Sequence, residues 1–227
     1  MSESHQRTAA PGTLESAARF LRGSLSADRG THAGHSRRAE IERQFDRLYR
    51  WAKEAGCIAD GQKLKHARPG GNEHRILHDR TSGRVWKFTS PGKAGLTCEA
   101  TIDKEKITAS LVDATPLEYL ERLLLQNEHF GDDIELEAIV IHAGQPCIAT
   151  SQSFIKGTAA SMGDIERTMH DLGFLKSPHG KAFYRPADNL AVWDAHEENF
   201  LNSGGIVVPV DLICMTATNQ MVELLGF

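Results

Sequence analysis

"VWDAHEENFL", Val192 to Leu201, is followed after a few residues by "VVPVDLI", Val207 to Ile213. Two apolar runs flank a loop that holds Asp194, His196, Glu197, Glu198 and Asn199, and a further aspartate, Asp211, sits inside the second run. Runs of Val, Leu and Ile broken by a Gly204-Gly205 turn read as strands, so Asp211 lies across a short hairpin from the loop. Taking a carboxylate into such a run costs free energy unless it finds a partner or a task. The hairpin is therefore the first place to look for chemistry.

Outward from it, "AFYR" (Ala182 to Arg185) and "LAVW" (Leu190 to Trp193) read as further strands, and "SMGDIERTMHDLGF" (Ser161 to Phe174) as a helix capped by Ser161 and Asp164. "IELEAIVIHAGQPCIATSQSFIKG" (Ile134 to Gly157) reads as a hairpin turning at Gly144. Before it, "ATPLEYLERLLLQNEHFG" (Ala114 to Gly131) has a clear helix start: Thr115 caps, Pro116 takes the first turn, and Glu118 completes a T-x-x-E box. "KLKHARPGGNEHRILHDRTSGRVWKFTSPG" (Lys63 to Gly92) reads as three antiparallel strands, the third with Val85, Lys87 and Thr89 on one face and Trp86 and Phe88 on the other. Ile41, Phe45, Leu48 and Ala52 recur at helical spacing within residues 37–56. Residues 1–36 are rich in Ser, Ala, Gly, Arg and His and are expected to form a flexible tail, with one possible short helix at Leu14 to Leu21.

The 227 residues suffice to bury a sizeable core. A net charge of -4 and no block of Lys and Arg give no sign of a nucleic-acid partner. No apolar run approaches the ~18 residues of a membrane span, and the N-terminus lacks a signal pattern, so a cytoplasmic protein is expected. Cys57, Cys98, Cys147 and Cys214 form no C-x-x-C pair and read as small buried hydrophobes in a reducing compartment. The eleven histidines show no paired zinc-ligand spacing.

An acid, an amide and a second acid in this order suit phosphoryl transfer from ATP. One carboxylate orients the attacking group while an Asn and an Asp hold Mg²⁺ on the phosphates. Asp194 and Asn199 have the D-x-x-x-x-N separation of a kinase catalytic loop, and Asp211 follows where the second metal-binding acid is needed. Such chemistry also requires a strand lysine after a glycine turn, which Lys87 and Gly70-Gly71 supply in the right order. The lysine then needs a helical glutamate. Glu118 is engaged by its capping box, and of Glu121 and Glu128 the former is preferred.

Taken together, the glycine turn, "VWKF", "TPLEYLERLLLQNEHFGDDIELEAIV", "TSQSFIKG", "FYRPADNLAVWDAHEENFL" and "VPVDLI" resemble the kinase-like domains of phage and conjugative-element polyvalent proteins. The resemblance spans roughly Gly56 to Ala217, and "DAHEEN" is also similar to the loop of aminoglycoside and choline kinases. It implies an α+β, compact protein-kinase-like fold, with an antiparallel-sheet N-lobe at about 63–155 and a reduced C-lobe at about 156–227 inside a domain of 57–227. It implies ATP and Mg²⁺ as cofactors and transfer to a hydroxyl acceptor, a protein. By position, Asp194 would be the catalytic base, Lys87 the phosphate-binding lysine with Glu121 as its partner, and Asn199 and Asp211 the metal ligands. Gly70, Gly71 and Asn72 would border the phosphates, the backbone of Ser151, Gln152, Ser153 and Phe154 would bind adenine, and His196 would be structural.

Trp193 stands before the base where His-Arg or His-Gly is usual, Leu212-Ile213 replace Phe-Gly, and no full G-x-G-x-x-G is present. Only "LICMTATNQMVELLGF" follows Asp211, short for a peptide-docking lobe. A small-molecule kinase and an inactive nucleotide-binding module therefore stand as alternatives.

Overall fold

The computed structural model describes residues 12–27, 36–103, 106–178 and 180–227. The chain begins with helices α1 (Thr13–Ala27) and α2 (Arg37–Glu54), strand β1 (Ile58–Ala59) and helix α3 (Gln62–His66). Strands β2 (Arg68–Gly70), β3 (His74–Asp79), β4 (Arg84–Thr89), β5 (Leu96–Asp103) and β6 (Lys106–Asp113) follow. Next come α4 (Pro116–Phe130), β7 (Glu135–His142), β8 (Gln145–Ser153), β9 (Thr158–Ala159) and α5 (Met162–Asp171). The last stretch holds β10 (Leu175–Lys176), β11 (Phe183–Arg185), β12 (Leu190–Trp193), β13 (Phe200–Ser203), β14 (Ile206–Pro209), β15 (Ile213–Thr216) and α6 (Asn219–Leu224). The expected α+β class is found, with six helices among the described residues and sheets built mainly of antiparallel pairs.

Two units are distinct. The first comprises the described residues up to Gly95, Asp113–Leu124 and Asp133–Phe154; the second comprises Leu96–Val112, Leu125–Asp132 and Ile155–Phe227. Helices α1 and α2 belong to the first unit, and β5 and most of β6 to the second.

The first unit is built on a six-stranded sheet of order β1-β7-β8-β4-β3-β2, parallel only where β1 meets β7. In β4, Trp86 and Phe88 pack on one face with Leu64, Ala67, Cys147 and Ala149. The opposite face, through Leu136, Ile139 and Ile148, joins the apolar stripes of α1, α2 and α4. The start of α4 is held from two sides. Thr115 and Glu118 exchange bonds of 2.7 Å and 3.3 Å as a reciprocal cap. The buried Gln44 of α2 accepts from the amide of Leu117 at 3.0 Å, satisfying another orphan donor of the first turn.

The tail expected over residues 1–36 is corrected at 13–27: the possible short helix at Leu14 to Leu21 is present as the longer α1, which packs Leu14, Ala17, Ala18 and Leu21 into the same core as α2 and the sheet. Leu14, Ala17, Ala18 and Leu21 fall at i, i+3, i+4 and i+7, a buried stripe whose two alanines allow close approach; the Glu, Ser and Arg between them masked it in composition. The rest of that expectation, apart from Gly12 and Ser36, lies outside the described residues.

In the second unit, β10-β11-β12-β15 form one sheet, β14-β13-β9 another, and β5-β6 a two-stranded ribbon. No element was expected over residues 93–113, where Thr, Ile and Val are interleaved with charged residues. Ile165, Met169, Phe174, Phe183, Val192, Phe200 and Leu212 are fully buried in one core. All four cysteines are buried, as expected.

If α1 is integral to the first unit, Leu21→Ala should lower the free energy of unfolding by about 2–5 kcal/mol, the range for a leucine lost from a core. Urea denaturation reads it, and a change within about 0.5 kcal/mol, typical of a surface site, would place α1 outside the core.

Candidate active site

The loop after β12 is wound tightly around Asp194, whose φ of +59° lies in the left-handed region. Aspartate tolerates that region better than most residues, but the conformation persists only where neighbours enforce it. Here they do. The amide of Ala195 donates to the carbonyl of Lys181 at 2.9 Å, and the amide of His196 to that of Asp194 at 3.1 Å. The side-chain amide of Asn199 donates to the carbonyl of Asp194 at 2.8 Å and to its Oδ2 at 2.9 Å.

His196 Nε2 lies 3.2 Å from Asp194 Oδ1. Nε2 also lies 3.3 Å from Asn199 Nδ2, so the imidazole sits against both the acid and the amide and limits how either can turn. The Asp194 side chain remains 36% exposed, so an incoming hydroxyl can reach it. Asn199 Nδ2 is consumed by these bonds, which leaves its Oδ1 to act as an oxygen ligand.

The β13–β14 hairpin then brings the chain back. Its register pairs Phe200 with Pro209, and the ladder continues one step further, with the amide of Val210 donating to the carbonyl of Asn199 at 2.9 Å. Asp211 is the next residue, half-buried. Its other neighbour, Leu212, is fully buried and donates its amide to Oε1 of the buried Gln126 at 3.2 Å. Gln126 is held in turn by donating to Asp132 Oδ2 at 2.7 Å. Asp211 thus stands between two amides that are both bonded, that of Val210 to the Asn199 carbonyl and that of Leu212 to Gln126.

In the first unit, Lys87 pairs with Ile76 and Thr150 across the sheet, on the face that carries α4. Gly70 ends β2, and a Cβ built there would run into the Ile76 side chain, so only a glycine lets Ile76 pack over the strand at this point. Gly71, with φ +77°, and Asn72 are exposed in the turn that follows.

The three candidate glutamates of α4 take other places. Glu118 closes the cap and also accepts from Arg37 at 2.7 Å. Glu121 accepts from Arg22 Nε of α1 at 2.7 Å, a pair open to solvent, rather than from Lys87. Glu128 is exposed. The charged α4 side chain that is buried is Arg122, 3% exposed, which meets Glu73 at 3.0 Å.

At the end of β8, Ser151 and Gln152 are buried and Phe154 is half exposed, stacked on His78 with ring centroids 4.0 Å apart. Strand pairing extends to Arg84 and Ser153, and the backbone here is already engaged. The amide of Ser153 donates to Asp133 at 2.8 Å, that of Phe154 to the carbonyl of Gly83 at 2.9 Å, and the carbonyl of Ser151 accepts from Arg84 at 3.0 Å. Burial alone would raise the Asp133 carboxyl, but bonds from Ser153 and Arg84 outweigh it and hold the pKa below its ordinary value.

Below them, Arg84 Nε donates to Ser151 Oγ at 2.7 Å, and Ser151 donates to Oε1 of Glu137 at 2.6 Å. Glu137 is 4% exposed, and burial pushes its pKa up despite that bond. Sequence reasoning missed Gln126, Glu73, Arg122, Arg84 and Glu137, because each acts through a partner distant in the chain. The one available signal was a charged or amide residue inside an apolar run.

A glutamate whose folded pKa is raised adds stability below its ordinary value and loses it as pH rises through the folded value. Glu137→Gln should therefore gain stability relative to the wild type between about pH 4 and about pH 7. Denaturation midpoints at both pH values measure this, and parallel pH profiles would contradict it.

Residues 41–218 match the family described as "Serine/Threonine/Tyrosine Kinase found in polyvalent proteins". No curated protein and no solved structure matches the chain.

Proposed function

The chain belongs to the serine/threonine/tyrosine kinases found in polyvalent proteins, and from that premise we propose that it transfers the γ-phosphoryl group of ATP to a protein hydroxyl, with Mg²⁺. The observation that supports this reading is the second unit's loop around Asp194: a half-exposed carboxylate bonded by Asn199, with Asp211 directly after a residue whose amide is bonded to the Asn199 carbonyl.

In this reading Asp194 orients the acceptor hydroxyl and takes its proton on a carboxylate oxygen as the oxygen attacks. His196 and Asn199 keep that carboxylate from turning away. In the first unit, Lys87 pairs with the phosphates, and the turn after Gly70, with Gly71 and Asn72 exposed, borders them. The base lies toward the Ser151–Phe154 end of β8, where the Phe154–His78 stack offers a planar surface. Recognition through the amides of Ser153 and Phe154 would first require their present bonds to break.

The donor set fits Mg²⁺, a hard cation that takes oxygen ligands and is usually held by one or two protein side chains plus phosphate. Asn199 Oδ1 and Asp211 would hold it, and when bound it offsets charge on the phosphates.

The same Asn199–Asp194 bonds also favour a second reading, in which the loop satisfies itself and the protein binds nucleotide without transfer. Thermal melts with ATP, with and without Mg²⁺, separate both readings from no function at all. Saturation at about 100 times the dissociation constant should stabilise the wild type by about 2.7 kcal/mol, and Asp211→Ala should abolish the metal-dependent part. No shift in the wild type would sink both.

Asp194→Ala then divides them. It should keep the metal-dependent shift but lower phosphate transfer from labelled ATP by about 10²–10⁴-fold, the range for loss of a general base. Equal transfer by wild type and variant would leave only the binding module.

A further inference from the structure

We propose that Glu73 and Arg122 are a positioning pair that sets how tightly the phosphates are held. This rests on the reading of Lys87 and the Gly70–Asn72 turn given above.

Glu73 closes the same turn, immediately after Gly71 and Asn72, and its side chain departs from theirs. They are exposed, whereas the Glu73 side chain is 14% exposed and its carboxylate lies 3.0 Å from Nη1 of Arg122, itself 3% exposed. The route between turn and helix is cleared by Gly95. A Cβ on that residue would strike Oε2 of Glu73 and come within 3.1 Å of the Tyr119 ring, and its φ of +78° independently favours glycine.

A second link runs alongside. Next to Glu73, His74 opens β3 and shares a 3.0 Å hydrogen bond with the hydroxyl of Tyr119, one helical turn from Arg122 on α4. The Arg122 guanidinium lies 5.6 Å from the centre of the Tyr119 ring. The backbone of Glu73 is held as well, its carbonyl accepting from Ser90 at 3.2 Å just past β4. A turn containing two glycines has little stiffness of its own. What stiffness it has comes from these bonds to α4 and to the end of β4.

The charge arrangement is informative. On this sheet face the residue that α4 inserts is a cation and its acid lies in the glycine turn, while Glu121 looks outward to Arg22. A buried ion pair that loses one member leaves an uncompensated charge, so it acts as a two-ended tie: turn and helix hold one placement or the tie is lost. By fixing the turn, the pair fixes where the phosphate-facing amides lie relative to Lys87, which β4 carries in the same sheet. A pre-placed turn binds phosphates without ordering cost on arrival, and a slack one does not.

The test compares two ligands on full-length protein by calorimetry, MgATP and adenosine, because adenosine has no phosphates. Glu73→Gln and Arg122→Lys should each raise the dissociation constant for MgATP by on the order of tenfold, as expected for lost orientation, and leave that for adenosine unchanged. The double variant should lose little more than either single, since one tie is cut in all three. Backbone hydrogen exchange at residues 70–73 should quicken in the unliganded variants. If Glu73→Gln does not fold, Glu73→Asp and Arg122→Lys carry the same comparison.

Wild-type binding of MgATP with variant constants unchanged would overturn this inference alone. An equal loss for both ligands would overturn it too, since that marks a general structural role. Failure of the wild type to bind MgATP would overturn the functional reading and this inference together.

Discussion

Side chains of a β-strand alternate between two faces, and β4 is covered on both. That constraint organises the first unit. Trp86 and Phe88 must go to the core shared with α3, which forces Lys87 onto the face of α1, α2 and α4. A register slip by one residue would put two aromatics where a lysine stands and a cation inside an apolar cluster. Six cross-strand pairs with β3 and five with β8 exclude the slip, so the position of the lysine is as secure as the sheet itself.

The second unit applies a different constraint to the same end. Its residues of interest lie in irregular chain, where backbone groups must find partners one by one. The β13–β14 hairpin meets this need by carrying its ladder past the last strand pair to Val210 and Asn199, so that Asp211 arrives next to the loop. Asp194 is the strained member, and its neighbours' bonds offset that strain. Such strain is often kept where a side chain has to be aimed, in agreement with the accessible carboxylate seen here.

Much of this was legible in advance. Strand alternation in "RVWKFT", the capping box at Thr115 and the turn glycines are local signals, set by residues a few positions apart, and each element they announce is present. Which charged residue of α4 is buried was not legible. Glu121 and Arg122 are adjacent on α4 and both border its apolar stripe; which of them turns inward depends on how the helix is rotated against the sheet. Tyr119, Leu120 and Leu123 decide that rotation by filling the core, which carries Arg122 in and leaves Glu121 to Arg22. The possible helix at Leu14 to Leu21 was legible, but its packing into the core as α1 was not, since an Ala-based stripe is weak by hydropathy and gains its meaning from the surface it meets.

The sequence by itself determined most of the order of elements, though not β5 and β6, the α+β class, and the residue types whose chemistry suits phosphate, metal and proton, because these follow from short-range periodicity and from side-chain chemistry. Only the tertiary structure decided which acids are used and by whom: Glu121 at the surface, Glu73 beneath the turn, Asp133 and Glu137 under the end of β8. Partnership between charges is a matter of a few ångströms, and the chain distance between Glu73 and Arg122, or between Gln126 and Leu212, carries no trace of it.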